Sequence, residues 1–375
     1  MLTTVRPKRK SRCPSPRSGH RCVSDSGNLY VYGGYSPFHE DKLFHELWKF
    51  NYGTRIWSPI KTSGKFPAEV ASSCVLLDRG NLIVFGGSGY PFGYFNSNNL
   101  FVCSLRDAHW HQIEWINTQD EEDSEESDFN GAVPLAGYGQ SIVLSPEKEL
   151  YVFGGTTGLQ FNSQLHRFSF AKCEWEHLKY EKFPYPRYRH EAVSDGVRFY
   201  IVGGGIGNSD PSEEFSLEKV YSFEFDKPQW NQHLCSPCSS SKEFPVARRC
   251  HGCVLWKGSV YICGGYNGVE VFDDIWSLDL SSFQWRKINR TLSYPVFFHS
   301  ATITPQGCMY VFGGVKSLDS EAMRSNEIQR LWLTVPPLLE ICWELVCSLI
   351  SGIENVQVKD LVGLGIPLHL IHRLK

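Results

Sequence analysis

One segment form recurs six times along the 375 residues. NLYVYGG, NLIVFGG, KELYVFGG, RFYIVGG, SVYICGG and CMYVFGG are each a short apolar run stopped by a diglycine, at Gly33-Gly34, Gly86-Gly87, Gly154-Gly155, Gly203-Gly204, Gly264-Gly265 and Gly313-Gly314. After five of them comes a second strand-like segment (ELWKF, NLFVCSL, QLHRFSF, KVYSFEF, DIWSLDL) and then a tryptophan: Trp57, Trp110, Trp175, Trp230 and Trp285. From Leu47, Leu100, Leu165, Val220 and Ile275 to the matching tryptophan is ten residues every time, while the stretch between diglycine and second segment varies. Constant spacing implies a rigid hairpin with a packed indole; variable spacing implies loops.

A further strand precedes each diglycine segment, beginning SGHRCVSD, ASSCVLL, YGQSIVL, YRHEAVSD, RCHGCVLW and FFHSATIT. Each unit therefore supplies four short antiparallel strands punctuated by Gly and aromatics, which is the pattern of a propeller blade and resembles the kelch repeat. The diglycine suits inner strands that crowd an axis and a turn that a Cβ would obstruct. A β-sandwich would explain the alternation but not six copies of one punctuation scheme, so the expected fold is all-β, a six-bladed propeller. The sixth copy is incomplete: ten residues after Ile328 stands Leu338 instead of tryptophan, and it belongs to a C-terminal helix. Closure then requires a strand from the other end of the chain, and only MLTTV before Arg6 is available.

Composition narrows the class of partner. With 42% hydrophobic and 14% aromatic residues the chain can bury a large core. A formal net charge of -3 and the lack of a long basic stripe argue against nucleic-acid or membrane partners held by bulk charge. Thirteen cysteines, an odd number, fall in strand-like segments such as FVCSL and YICGG, where a thiol is a small buried hydrophobe. Reduced thiols in cytosol or nucleus are the expectation, with no signal peptide at the N-terminus. The apolar stretch PPLLEICWELVCSLISGI is interrupted by Glu340 and Glu344, too costly for a bilayer span, and reads as an amphipathic helix.

The loops leading into the first strand of each unit and those following the diglycine should open on one face around the axis, where binding residues are expected. The lead-in loops carry Arg17, Arg187, Arg189, Arg248 and Arg249, with Tyr138, Tyr188, Phe297 and Phe298. The loops after the diglycine add Tyr35, Phe38, Tyr90, Phe92, Tyr94, Phe161 and Tyr266. An arginine-floored, aromatic-walled pocket suits a negatively charged group with apolar flanks, and a free C-terminal carboxylate fits. Arg17, Arg187 and Arg248 occupy equivalent repeat positions, so they could equally brace loops by bonding backbone carbonyls of the next blade.

No catalytic or metal-binding constellation emerges. His20, His190, His251 and His299 share one repeat position, which makes them strand-lead histidines rather than a catalytic set. Cys235, Cys238, Cys250 and Cys253 have paired CxxC spacing, but Cys253 aligns with Cys22 and Cys74 along the first strand and reads as a core thiol, so neither a metal nor a cofactor is expected. The sialidase Asp-box, HExxH, a Ser-His-Asp order and a phosphate-binding glycine loop are all missing, which points away from an enzyme. The run DEEDSEESD from Asp120 to Asp128 reads as a solvated acidic loop, in which Ser124 and Ser127 could accept phosphate.

After Trp332 the period becomes helical: Leu338, Ile341, Cys342, Leu345, Val346 and Leu349 recur at three- and four-residue steps. An apolar helical face at the end of a propeller needs a partner or a blade to cover it. Leu338, Cys342 and Val346 match the BC box that binds elongin C, and Ile366, Pro367, Leu370 and Leu374 match the cullin-2 box. Together with RSGHRC, RYRHEAV, ARRCHGCV and ICGGYNG, the chain resembles kelch-repeat substrate receptors of cullin-2 RING ubiquitin ligases over nearly its whole length. That resemblance implies a non-catalytic receptor with elongin B and C and cullin-2 with its RING subunit as partners, acting in degradation and protein quality control. It further implies recognition of substrate proteins through C-termini ending in a small residue such as Gly or Ala, and an alternative role in oxidative-stress kinase signalling through inhibition of a Ser/Thr phosphatase. Within it Arg248 corresponds to the arginine that grips the carboxylate, while Phe297 and Phe298 stand where relatives place Ser and Trp, removing a hydroxyl donor. The expected organisation is a segment 1–12 that can close the sixth blade, a propeller over 13–335 with an acidic insertion at 116–133, and a helical BC-box and cullin-2-box adaptor over 336–375.

Overall fold

The computed structural model describes residues 2–8, 12–116, 131–180, 184–206, 216–316 and 323–374. The acidic run 120–128, with Ser124 and Ser127, lies outside the described residues, as does most of the insertion 116–133. Six sheets form, one per repeat: blade one holds Arg21–Ser24, Asn28–Tyr32, Leu47–Asn51 and Ile56–Ile60 in antiparallel order, and the others repeat that order through blade six, Ser300–Ile303, Cys308–Phe312 and Ile328–Trp332, with a short parallel fifth strand, Ser63–Gly64, added at the outer edge of blade two. The outermost strand of blade six is Thr3–Val5, antiparallel to Ile328–Trp332 with Thr4 opposite Gln329. Chain start and last strand thus share one sheet, and the ring has no open edge there.

The constant spacing has a register behind it. Phe50 faces Trp57, Cys103 faces Trp110, Phe168 faces Trp175, Phe223 faces Trp230 and Leu278 faces Trp285 across the outer hairpins. Each indole then lies against the preceding blade, as with Trp110 on Tyr32 at 5.0 Å, Trp175 on Phe85 at 5.5 Å and Trp57 on Phe312 at 5.3 Å between ring centres. In blade six, Leu2 takes part in the core of Met309, Val311 and Leu331, so a leucine of the closing strand fills the tryptophan's place. Each indole buries well over 100 Å² between wedges, which is why the hairpin length is fixed while the loops vary.

The diglycines are held open by histidines. A Cβ on Gly203 would stand 2.6 Å from the His251 ring of the next blade, and one on Gly204 would stand 2.8 Å from Cβ of His190 in its own blade. Both glycines have positive φ, +65° and +96°, so close approach and backbone shape exclude a side chain together. His20, His190, His251 and His299 are all buried between blades; His20 Nε2 lies 3.0 Å from the Phe312 carbonyl and His190 Nε2 2.8 Å from Ser141 Oγ.

After the propeller, α1 (Leu338–Leu349), a single turn at Ile353–Asn355, α2 (Val358–Gly363) and α3 (Leu368–Ile371) form a small unit around Trp343, Cys347, Ile353, Leu361, Leu370 and Ile371. The unit docks on the hairpin turns of blade one and the edge of blade six. Asn51 Nδ2 donates to the Arg373 carbonyl at 2.5 Å, Arg330 pairs with Glu344 at 3.1 Å, and Lys8 reaches Glu354 at 3.4 Å. Those turns lie at the opposite end of the strands from the diglycines, so the unit and the lead-in loops occupy opposite faces.

Candidate functional site: the axial cavity

In all six blades a lead-in residue forms a β-bridge with the residue after the diglycine: Ser18 with Tyr35, Ala71 with Ser88, Tyr138 with Thr156, Tyr188 with Gly205, Arg249 with Tyr266 and Phe297 with Val315. The two loop families therefore share one face. The next residue in each blade, Gly19, Ser72, Gly139, Arg189, Cys250 or Phe298, has a left-handed backbone with φ between 54° and 67°. Their amides join head to tail around the axis: Ser72 N–H to Gly19 O, Gly139 to Ser72, Arg189 to Gly139, Cys250 to Arg189, Phe298 to Cys250 and Gly19 to Phe298, at 2.7 to 3.2 Å. This closed ring of hydrogen bonds satisfies groups that an axis would otherwise leave buried and bare, and it offsets the cost of four non-glycine left-handed residues, Ser72, Arg189, Cys250 and Phe298, crowded at one level.

Two of the six ring residues are large, Arg189 and Phe298, and they stack, the guanidinium carbon 4.5 Å from the ring centre. They line an off-centre cavity of about 350 Å³ with Tyr35, Phe92, Phe297 and Arg324. Aromatic contacts continue around the mouth: Phe92 on Tyr138 at 4.6 Å, Tyr138 on Tyr188 at 6.5 Å, Tyr266 on Phe297 at 5.2 Å and Phe297 on Phe298 at 5.1 Å. Arg249 sits between Tyr188 and Tyr266, at 6.0 and 5.1 Å. Thus Tyr138, Tyr188, Tyr266 and Arg249 belong to the adjoining rim, and Arg189, Phe297 and Phe298 to the cavity itself.

Arg189 is the electrostatic centre of the cavity. It is only 6% exposed, and its Nε has no hydrogen-bond partner among the described residues. Burial pushes its pKa below the ordinary arginine value, though the group stays cationic. A buried guanidinium without a fixed anion costs several kcal/mol, which a bound carboxylate would recover. Arg324, at the cavity wall, donates from Nε to Ser18 Oγ at 3.0 Å and lies 5.3 Å over Tyr35.

Three of the expected pocket arginines have other work. Arg17, Arg187 and Arg248 are 0%, 3% and 1% exposed, and each donates from Nη1 to the first diglycine carbonyl of its own blade, Gly33, Gly203 and Gly264, at 3.0 to 3.1 Å. From Nε each also donates to the carbonyl two residues earlier. Arg17 pairs with Glu46 at 2.8 Å and Arg248 with both oxygens of Asp274, and their planes cover Phe44 and Phe272. They brace their own blade rather than the next one, and Arg248, with its donors spent on Asp274 and carbonyls, is not the carboxylate grip that the resemblance implied. The side chain in position for that task is Arg189, two residues along from the Arg187 brace.

Sequence reasoning missed Arg324. It lies in the sixth post-diglycine loop, bridged to Val315, where other blades carry Leu43, Phe161 and Val271. Scanning that loop position for charge as well as for aromatics would have found it.

In the helical unit, Leu338 and Cys342 are exposed on α1 with Leu345, whereas Trp343 and Cys347 face the propeller. Of the two covers left open for the face from Leu338 to Leu349, a blade and a partner, the blade does not supply one: that face is largely turned outward. Val346, Ile366 and Leu374 pack against the unit's core and Leu370 is 5% exposed inside it, so Leu370 shapes the unit instead of meeting a partner; Pro367 is exposed.

Elsewhere, no group of three or more His, Cys, Asp or Glu among the described residues could hold a metal, and no described helix is long and apolar enough to cross a membrane. A cavity of about 660 Å³ between blades three and four, walled by Tyr180, Tyr185 and Trp230, brings no comparable charge to a point.

Repeating diglycine blades, interblade tryptophans and a loop-face cavity define a kelch-type β-propeller, a class of interaction module. A family model described as the Attractin/LZTR1 beta-propeller matches residues 2–273. The chain belongs to the kelch domain-containing protein 10 family: it is 39% identical to Kelch domain-containing protein 10 of Xenopus laevis over 97% of this chain and 87% of the relative. It is 39% identical to that of Homo sapiens over 98% and 81%, and 32% identical to the Drosophila melanogaster homolog over 96% and 62%.

Proposed function

We propose that this protein is the substrate-recognition subunit of a cullin-2 RING ubiquitin ligase, binding the free C-termini of proteins that end in a small residue such as Gly or Ala. The observation that carries the reading is Arg189: a buried, cationic side chain that lines a cavity with aromatic walls and whose Nε has no partner among the described residues. A terminal carboxylate supplies the missing anion, and the walls cover the residues before it. The cavity is small, about 350 Å³, which favours a compact last residue over a bulky one. On the opposite face, exposed Leu338 and Cys342 offer the surface for elongin B and C, with cullin-2 and its RING subunit beyond. The protein then acts as a receptor, without catalysis of its own, in the cytosol and nucleus, where thiols such as Cys22 and Cys74, pushed up to about 12 by burial, stay reduced.

Peptides ending in Gly with a free carboxylate should bind the full chain at least about thirtyfold more tightly than their amides, and Arg189→Met should erase that difference. Equal affinities for acid and amide would overturn the reading and leave a scaffold that acts on a folded enzyme such as a Ser/Thr phosphatase.

A further inference from the structure

Below the hydrogen-bonded ring, two residues further along each chain segment, lies a second layer of axial side chains: Arg21, Cys74, Ser141, Glu191, Gly252 and Ser300. They belong to the first strands of the six blades or stand directly before them. All but Gly252 line a narrow cavity of about 170 Å³ that continues the axis. Arg21 comes from blade one and Glu191 from blade four, opposite members of the ring, yet Arg21 Nη1 meets Glu191 Oε1 at 2.6 Å. Their side chains are 15% and 17% exposed. The pair spans the axis and forms the floor beneath the upper cavity.

Glu191 follows Arg189 by two residues on the same segment, which makes it the carboxylate in sequence reach of that guanidinium. Two other carboxylates at the loop face are committed elsewhere, Glu46 to Arg17 and Asp274 to Arg248. Three charges are therefore buried on the axis, two positive and one negative, and the negative one is held by the farther blade. We infer that Arg21 is a positioning residue for the axial site: by engaging Glu191 across the axis it keeps that carboxylate from neutralising Arg189, and so reserves Arg189 for an incoming anion.

This rests on the reading of the axial cavity as a carboxylate site, but it has a readout that needs no ligand. If Arg21 and Glu191 were an ordinary isolated pair, losing either partner would orphan one buried charge and cost a similar amount. In the arrangement inferred here the losses are unequal. Arg21→Met leaves Glu191 free to turn to Arg189, whereas Glu191→Gln leaves two unpaired guanidinium groups facing each other. The experiment is thermal unfolding of the full chain as wild type, Arg21→Met, Glu191→Gln and the double variant, together with binding of one peptide as free acid and as amide.

Glu191→Gln should unfold at least about 5 °C below Arg21→Met, or fail to fold while Arg21→Met folds, and the double variant should recover. Arg21→Met should bind the free acid about tenfold more weakly, with no change for the amide, and the double variant should regain the free acid. Equal losses of Tm in the two single variants overturn the inference, as does a double variant that folds but binds the acid no better than Arg21→Met. If the wild-type protein does not distinguish acid from amide, the proposed function fails on its own and the unequal Tm values still decide this one.

Discussion

Six of the described arginines reach the loop face, and what separates them is which hydrogen-bond acceptors the fold has already given them. Arg17, Arg187 and Arg248 spend Nε and Nη1 on backbone carbonyls, so they behave as part of the backbone. Arg189 keeps an unpartnered Nε in a buried place. The two kinds should respond oppositely to removal of charge. Arg248→Met should lower stability by about 3–5 kcal/mol, because Asp274 and the Gly264 carbonyl lose their donor together. Arg189→Met should leave Tm unchanged or raise it while weakening carboxylate binding, the signature of a residue kept for a ligand at the expense of stability. Denaturant unfolding of both variants checks the contrast; a loss of several kcal/mol in Arg189→Met would mark it as another brace. In the sequence the two kinds look alike, since PRSGH, PRYRH and ARRCH present arginines within three residues of the lead-in histidine. Only the left-handed backbone at Arg189 turns one of them toward the axis, and φ at a non-glycine residue is not written in composition or spacing.

At the scale of elements, blades were legible because their strongest constraint is local. A hairpin register that sets Phe50 on Trp57 is a matter of counting, and counting is what a sequence permits. The helices were legible in period but not in orientation. The steps from Leu338 to Leu349 predict an apolar face that either a blade or a partner could cover; it is Trp343 and Cys347, a quarter-turn away, that meet the propeller, where Gly53 brings the blade-one backbone so close that a Cβ there would stand 2.8 Å from Cys347 Sγ. A tertiary contact chose between two apolar stripes of one helix. The exposed stripe and the docked stripe therefore let the proposed partner binding be tested apart from stability. Leu338→Asp with Cys342→Asp should leave Tm within about 1 °C of wild type and abolish co-purification with elongin B and C. Trp343→Ala should cost about 3–5 kcal/mol of docking free energy, read as early loss of hydrogen-exchange protection in α1 with the blades intact. Retained elongin binding in the first variant would sink the receptor assignment.

For the molecule as a whole, the four interblade histidines tie stability to pH. Burial pushes His251 down to about 3 and His299 to about 4, and His20 and His190 well below the ordinary histidine range. In the unfolded chain these groups titrate near about 6.5. Between that value and the depressed folded values the unfolded chain binds more protons, so stability is full above about pH 6.5 and falls as pH drops through 6 and 5. Urea unfolding at pH 7.5 and pH 5.0 should show a loss approaching about 2 kcal/mol per histidine, and a flat profile would mean that the rings are solvated.

The place where the helical unit docks gives the molecule a property that none of its parts has alone. Its platform consists of Lys8 from the first residues, Asn51 and Gly53 from the first blade and Arg330 from the last strand of the sixth. Lys8 and Arg330 become neighbours only when Thr3–Val5 has paired with Ile328–Trp332. Without that pairing blade one offers α1 only part of its seat. The outward stripe of α1 thus takes its place only where the seam of the propeller has formed, so the orientation of the helical unit reports on the closing of the ring.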